Sequence, residues 1–110
     1  MKLVTIVAEA VLERRLLDEL AAAGASGYTL GEVTGVGSRG VRATEFEGKN
    51  VRIETLVGPA VADRLLADLA ERYFDHYALV VWVTDVDVVR GEKYLSAPPD
   101  GQERRPGGGS

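Results

Sequence analysis

Ser38, Arg39 and Arg42 are the residues of this chain best suited to chemistry, and they lie in a run punctuated by glycine: Gly35-Val36-Gly37-Ser38-Arg39-Gly40-Val41-Arg42. Three glycines let the backbone turn tightly and bring N–H groups close to an anion. Two arginines three apart supply forked donors that match the oxygens of phosphate or bicarbonate, and the Ser38 hydroxyl adds another donor. The local pattern leaves two readings open, an anion cradle or a pair of solvated arginines in a polar loop. Other reactive residue types offer less. The one histidine, His76, fits a turn or cap better than a ligand role, and without cysteine it cannot build a transition-metal site within one chain. Asp85 and Asp87 alternate along a strand and share a face, but two carboxylates with no third ligand read as solvated strand-end charges. No Ser-His-Asp, Walker or zinc pattern occurs, so no catalytic or metal-binding residues are assigned.

The elements around the loop read clearly. Leu3–Val7 is β-branched and predicts a first strand. From Glu9 to Ala23, Leu12, Leu16 and Leu20 fall on one face, with Leu17 and Ala21 beside them, and Gly24 supplies a stop. Tyr28–Val33 predicts a second strand and 34–49 a loop. In the third strand, 51–57, Val51, Ile53, Thr55 and Val57 share a face. Gly58-Pro59 then opens a helix in which Val61, Leu65, Leu69 and Tyr73 recur every four residues, with Arg64, Asp68 and Arg72 on its outer side. Tyr77–Val89 predicts a long fourth strand.

The order βαββαβ predicts an α+β, ferredoxin-like sandwich with a four-stranded antiparallel sheet and both helices on one face. Leu79-Val80-Val81-Trp82-Val83 is apolar on both faces, although helices cover only one. The second face therefore calls for a homo-oligomer with its sheets turned inward.

Composition bounds the reading. With 110 residues, 45% of them hydrophobic, the chain is long enough for one core and short enough to benefit from partner subunits. A net charge of −4, without a basic run, argues against coating nucleic acid. The strand order also suits an RNA-recognition domain, but strands one and three lack its aromatic platform. The absence of cysteine excludes disulfides. The N-terminus lacks a signal-peptide apolar region, and no stretch reaches the ~20 apolar residues of a membrane span, so the expected location is cytoplasmic. The organisation expected is a domain over 1–96 and a disordered Pro- and Gly-rich tail over 97–110.

Read in place, these motifs resemble the P-II signalling proteins over residues 2 to about 92. The resemblance rests on Gly27-Tyr28-Thr29, Gly35-Val36-Gly37-Ser38-Arg39, and Val51-Arg52-Ile53-Glu54-Thr55-Leu56-Val57. Gly-Ser-Arg-Gly-Val-Arg (37–42), Asn50-Val51-Arg52-Ile53-Glu54, Tyr73-Phe74-Asp75-His76-Tyr77-Ala78 and Val89-Arg90-Gly91 look most like the P-II-like regulators linked to bicarbonate transporters and carboxysomes, the SbtB type. The resemblance implies a homotrimer that binds an adenine nucleotide (AMP, cyclic AMP, ADP or ATP) in clefts between subunits, with bicarbonate as an additional ligand and no tightly bound cofactor. It implies a T-loop at about 34–49 that docks on a bicarbonate transporter or carbon-fixation component, which would recruit the protein to the inner face of the membrane.

Carried over by position, the phosphate falls on the Gly37 and Ser38 backbone and on the Arg39 and Arg42 side chains. Thr29 lines the cleft, Glu54 and Leu56 approach the adenine with the backbone around Ala78 and Leu79, and Arg90 reaches phosphate; a solvated strand-end arginine is the favoured reading of Arg90. Two departures stand out. The tyrosine that many nitrogen-sensing members carry at the loop tip is missing, and so are the paired tail cysteines of some bicarbonate-linked relatives. The expected role is regulation rather than catalysis. The rival is a weak, apyrase-like nucleotide phosphohydrolase in the same cleft, since an arginine-lined cradle can stabilise a phosphoryl transition state. A copper-tolerance-type trimer shares the architecture but has no need of the glycine-arginine loop.

Overall fold

A computed structural model describes residues 1–34 and 49–89. The expected phosphate residues Gly37, Ser38, Arg39 and Arg42, most of the T-loop, Arg90 and the 97–110 tail lie outside the described residues. Strand β1 (Lys2–Glu9) leads through a 3-10 turn (Ala10–Leu12) into helix α1 (Glu13–Ala23). Strands β2 (Thr29–Val33) and β3 (Asn50–Val57), helix α2 (Pro59–Arg72) and strand β4 (Leu79–Asp85) follow. The sheet order is β2-β3-β1-β4, antiparallel throughout, as a split βαβ topology requires.

One face of this sheet holds the core. Val4, Ile6 and Ala8 of β1 and Val51, Ile53 and Val57 of β3 are buried against Leu12, Leu16 and Leu20 and against Ala62, Leu65, Leu69 and Tyr73. The period-2 and four-residue spacings thus meet in a single apolar layer. Among the described residues Thr55 is the one polar side chain buried on this face, and its hydroxyl donates to the Gly27 carbonyl at 2.6 Å. Gly24 ends α1 in the left-handed region at φ 103°, where a side chain would be strained. The Ala25 N–H donates to the Leu20 carbonyl, closing the helix end. Pro59 starts α2 at the position where a missing N–H costs nothing. Asp68 sits between Arg64 and Arg72 at 3.9 and 4.0 Å, the pairing their spacing predicts.

Two boundaries differ from the sequence reading. The helix predicted from Glu9 begins as α-helix only at Glu13, because β1 stays paired as far as Glu9↔Asn50 and the Ala10 N–H is taken by the Lys49 carbonyl at 3.0 Å. The fourth strand is shorter at both ends than Tyr77–Val89. Its start is delayed because the N–H groups of His76 and Tyr77 turn back to the Tyr73 carbonyl. Its end coincides with the start of β1: Lys2 pairs with Asp85, and the Val86 N–H bonds the Met1 carbonyl.

The helices are tied together near the end of α2. Arg72 donates to Glu19 at 2.8 Å and the Tyr73 hydroxyl to the other Glu19 oxygen at 3.2 Å. Arg15 donates to the Tyr77 hydroxyl at 3.0 Å and lies over both tyrosine rings. Burial, then the Glu19 carboxylate, pushes the Tyr73 hydroxyl above its ordinary range. The segment leading into β4 is therefore anchored on α1.

Candidate functional site

The opposite sheet face carries no helix. Register places Thr29, Glu54, Thr5 and Trp82 in one row across β2, β3, β1 and β4. Gly31, Arg52, Val7 and Val80 form the adjacent row. Two candidates are thus brought together, since Thr29 stands directly across from Glu54 at the β2 side of the sheet. Leu56 lies two residues along β3 on the same face. Thr29 is exposed, whereas Glu54 and Leu56 are half-buried.

Leu79 does not join them. It pairs with Ala8 and packs against the core on the helix-covered side, at the other edge of the sheet. Three strand spacings of about 4.8 Å put β4 roughly 14 Å from β2, too far for one small ligand to touch both edges of a single chain's sheet through that face.

The Glu54 carboxylate is held from two sides. Its Oε2 accepts the Thr5 hydroxyl at 3.0 Å and Arg52 Nη2 at 3.1 Å. The Arg52 guanidinium also reaches across β1 to lie 5.9 Å from the centre of the Trp82 ring. Thr5 is fully buried beneath these side chains although no described element covers the face. The roles of Thr5 and Arg52 escaped the sequence reading. The available signal was the alternation of Arg52 and Glu54 with Val51 and Ile53, which places both charges on the side facing away from the helices.

The remaining polar candidates stand apart. Asp85 is paired with Lys2, whose ammonium holds its carboxyl below the usual range through a hydrogen bond and then through charge. His76 is exposed, its ring edge-on to Tyr77. Among the described residues no group of three or more His, Asp or Glu is arranged to hold a metal, and no helix is long and apolar enough to cross a membrane.

The antiparallel sheet in this order, with two helices on one face, matches the fold of solved PII-like proteins. Residues 1–93 match the family model described as nitrogen regulatory protein P-II, and the chain belongs to the P-II family. A PII-like signalling protein from Thermus thermophilus is 50% identical, with a TM-score of 0.72 over 84% of this chain and 92% of its own. CPII of Thiomonas intermedia bound to ADP, AMP and acetate is 25% identical, with a TM-score of 0.74 over 86% of this chain and 94% of its own. The same protein bound to ADP and bicarbonate gives 27% identity and a TM-score of 0.73 over 84% and 92%.

Proposed function

We propose that this P-II family protein is a homotrimeric sensor that binds an adenine nucleotide, with bicarbonate as a second ligand, in clefts between subunits. The observation that carries the reading is the separation of its candidate residues between the two halves of the sheet. Thr29, Glu54 and Leu56 lie on β2 and β3, while Leu79 lies on β4, and a second copy could supply the missing wall. The ligands fit those that the CPII structures hold, ADP with AMP or bicarbonate. Gly37, Ser38, Arg39 and Arg42 would receive the phosphate, with Arg90 as a further contact. Ligand binding would bias the order of the loop at 34–49, acting only through its different affinity for the two loop states. The target is a bicarbonate transporter or carbon-fixation component of the kind served by the SbtB-type regulators, which would bring this cytoplasmic protein to the inner membrane face. The role is regulatory, without turnover.

Calorimetric titration with AMP, cyclic AMP, ADP and ATP, with and without bicarbonate, tests the reading. At least one nucleotide should bind, and Arg42→Ala should weaken it by about tenfold or more, since a charge-assisted hydrogen bond contributes about 1.5–3 kcal/mol and a decade corresponds to ~1.4 kcal/mol. Binding by none of the four overturns the sensor. Steady phosphate release from ATP or ADP would replace it with the phosphohydrolase.

A further inference from the structure

The connector between α2 and β4 is tied down by a side chain from α1. Phe74 to Ala78 belong to neither helix nor strand, and the backbone bonds described there run from the N–H groups of His76 and Tyr77 to the Tyr73 carbonyl. Phe74, Asp75 and His76 are exposed, so burial does little to fix their course, and Tyr77 is half-buried. Arg15 donates to the Tyr77 hydroxyl at 3.0 Å, and its guanidinium lies 5.4 Å from the centre of that ring and 5.5 Å from the centre of the Tyr73 ring. We propose that Arg15 and Tyr77 form a latch that fixes the backbone at Ala78 and Leu79 for reading the adenine base, which makes Arg15 a positioning residue for base specificity, acting through Tyr77. This rests on the nucleotide-binding reading and goes on to what sets its choice of base.

Three observations carry it. First, the tie between the helices is already made elsewhere. Glu19 accepts from Arg72 at 2.8 Å and from the Tyr73 hydroxyl at 3.2 Å, so the Arg15–Tyr77 contact reaches past α2 to hold the connector. Second, the latch is firm. Leu12 and Leu16, on either side of Arg15 in the chain, are buried in the core, and the guanidinium spreads over two rings 5.7 Å apart while bonding one hydroxyl. A planar cation held in this way restrains direction as well as distance. Third, the latch ends beside backbone that is free to read a base. Leu79 packs against the core and pairs with Ala8, while the outer edge of β4 has no partner strand within the chain. Backbone N–H and C=O groups on such an edge can match the N1 acceptor and N6 donor of adenine, and inosine reverses both. A site that hydrogen-bonds the base in this way rejects the analogue only while those groups are held in place.

Arg15→Met, Tyr77→Phe and the double substitution test the latch, with Arg64→Met on the outer side of α2 as a control. Each is titrated by calorimetry with the adenine nucleotide that the parent binds best and with the matching inosine nucleotide. Arg15→Met should weaken the adenine nucleotide by about tenfold and the inosine nucleotide by less than about twofold, because apparent affinity follows the fraction of molecules in the competent conformation and only adenine gains from the groups the latch fixes. Tyr77→Phe keeps the ring and loses the hydroxyl, so its effect should be about threefold, and the double variant should match Arg15→Met because both changes break one contact. Arg64→Met should bind both nucleotides as the parent does. A loss shared equally by the two nucleotides overturns the inference, since a disturbed fold or phosphate site would give the same result. An Arg15→Met variant that binds both like the parent overturns it too, as does a parent that does not distinguish the two bases. Where Arg15→Met fails to fold, the same ratio measured on Tyr77→Phe decides. A parent that binds no adenine nucleotide fails differently, removing the nucleotide-binding reading itself.

Discussion

The two faces of the sheet are built from the same four strands and obey different rules. On the helix-covered face the strand residues are aliphatic and buried, and its one buried hydroxyl, Thr55, is satisfied by a backbone carbonyl. On the bare face aliphatic residues alternate with a charged pair, a buried hydroxyl and an exposed tryptophan. Burial of the first face is complete within one chain and supplies folding free energy. The second is only half satisfied by its own side chains, and what it lacks is a cover. A surface of that kind costs little to fold and much to leave wet, which suits it to association and ligand binding rather than to the core.

The largest expected effect separates these roles directly. Ile53→Ala opens a cavity between β3 and the helices and should lower the unfolding free energy by about 2–5 kcal/mol. That loss should be the same in dilute and concentrated samples, because it belongs to the single chain. Trp82→Ala should behave otherwise. Its side chain contributes little to the monomer's core, so on the proposed homotrimer the denaturant midpoint should fall in the concentrated sample, where association would add stability, and hardly at all in the dilute one. Equal falls at both concentrations would assign Trp82 to the fold and leave the bare face without its special role.

A finer comparison uses the two buried threonines, one on each face. Thr55→Val removes the only described side-chain partner of the Gly27 carbonyl and leaves that acceptor beside apolar side chains, at a cost of about 1–3 kcal/mol. Thr5→Val leaves Glu54 still bonded to Arg52, so the loss should stay near 0.5–1.5 kcal/mol, roughly that of one ordinary hydrogen bond. Chemical denaturation of both variants measures the order. A Thr5 variant more damaging than the Thr55 variant would mean that the bare face matters as much to folding as the core does.

Most of the covered face was legible in the amino-acid sequence, because periodicity is a local signal. Val51, Ile53, Thr55 and Val57 announce one side of β3, Leu12, Leu16 and Leu20 one side of α1, and Gly24 and Gly58-Pro59 mark ends whose backbone chemistry needs no distant partner. What failed was non-local. The end of β4 coincides with the start of β1, 83 residues away at the Lys2–Asp85 contact, and the start of α1 is set by the Lys49 carbonyl. Trp82 already announced an uncovered face. The lock around Glu54 could not be read, because Thr5, Arg52 and Trp82 come from three strands and meet only once the register is fixed. Thr29 and Glu54 were named through family resemblance, and the register makes them neighbours. The loop arginines lie outside the described residues and remain for binding measurements.

The smallest effect lies at the rim, where β1 and β4 end together. Lys2 and Asp85 form an ion pair whose side chains are 33% and 79% exposed, so its contribution should be modest and sensitive to salt. The sign with pH follows from the Asp85 carboxyl, which the Lys2 hydrogen bond and charge hold below its ordinary value of 3.8. The folded state binds that proton less readily than the unfolded chain, so the stabilisation is fully present above the unfolded value and disappears as pH falls through the folded one. Asp85→Asn should therefore be slightly less stable than the parent at neutral pH, and the gap should close on acidification below about pH 4 and also in ~1 M salt, where charges are screened within about 3 Å. Ile53→Ala should show neither dependence, since its loss is one of packing. A gap for Asp85→Asn that survives both acid and salt would show that the end of β4 is held by the Val86–Met1 backbone bond and its packing, with the ion pair an incidental feature of the rim.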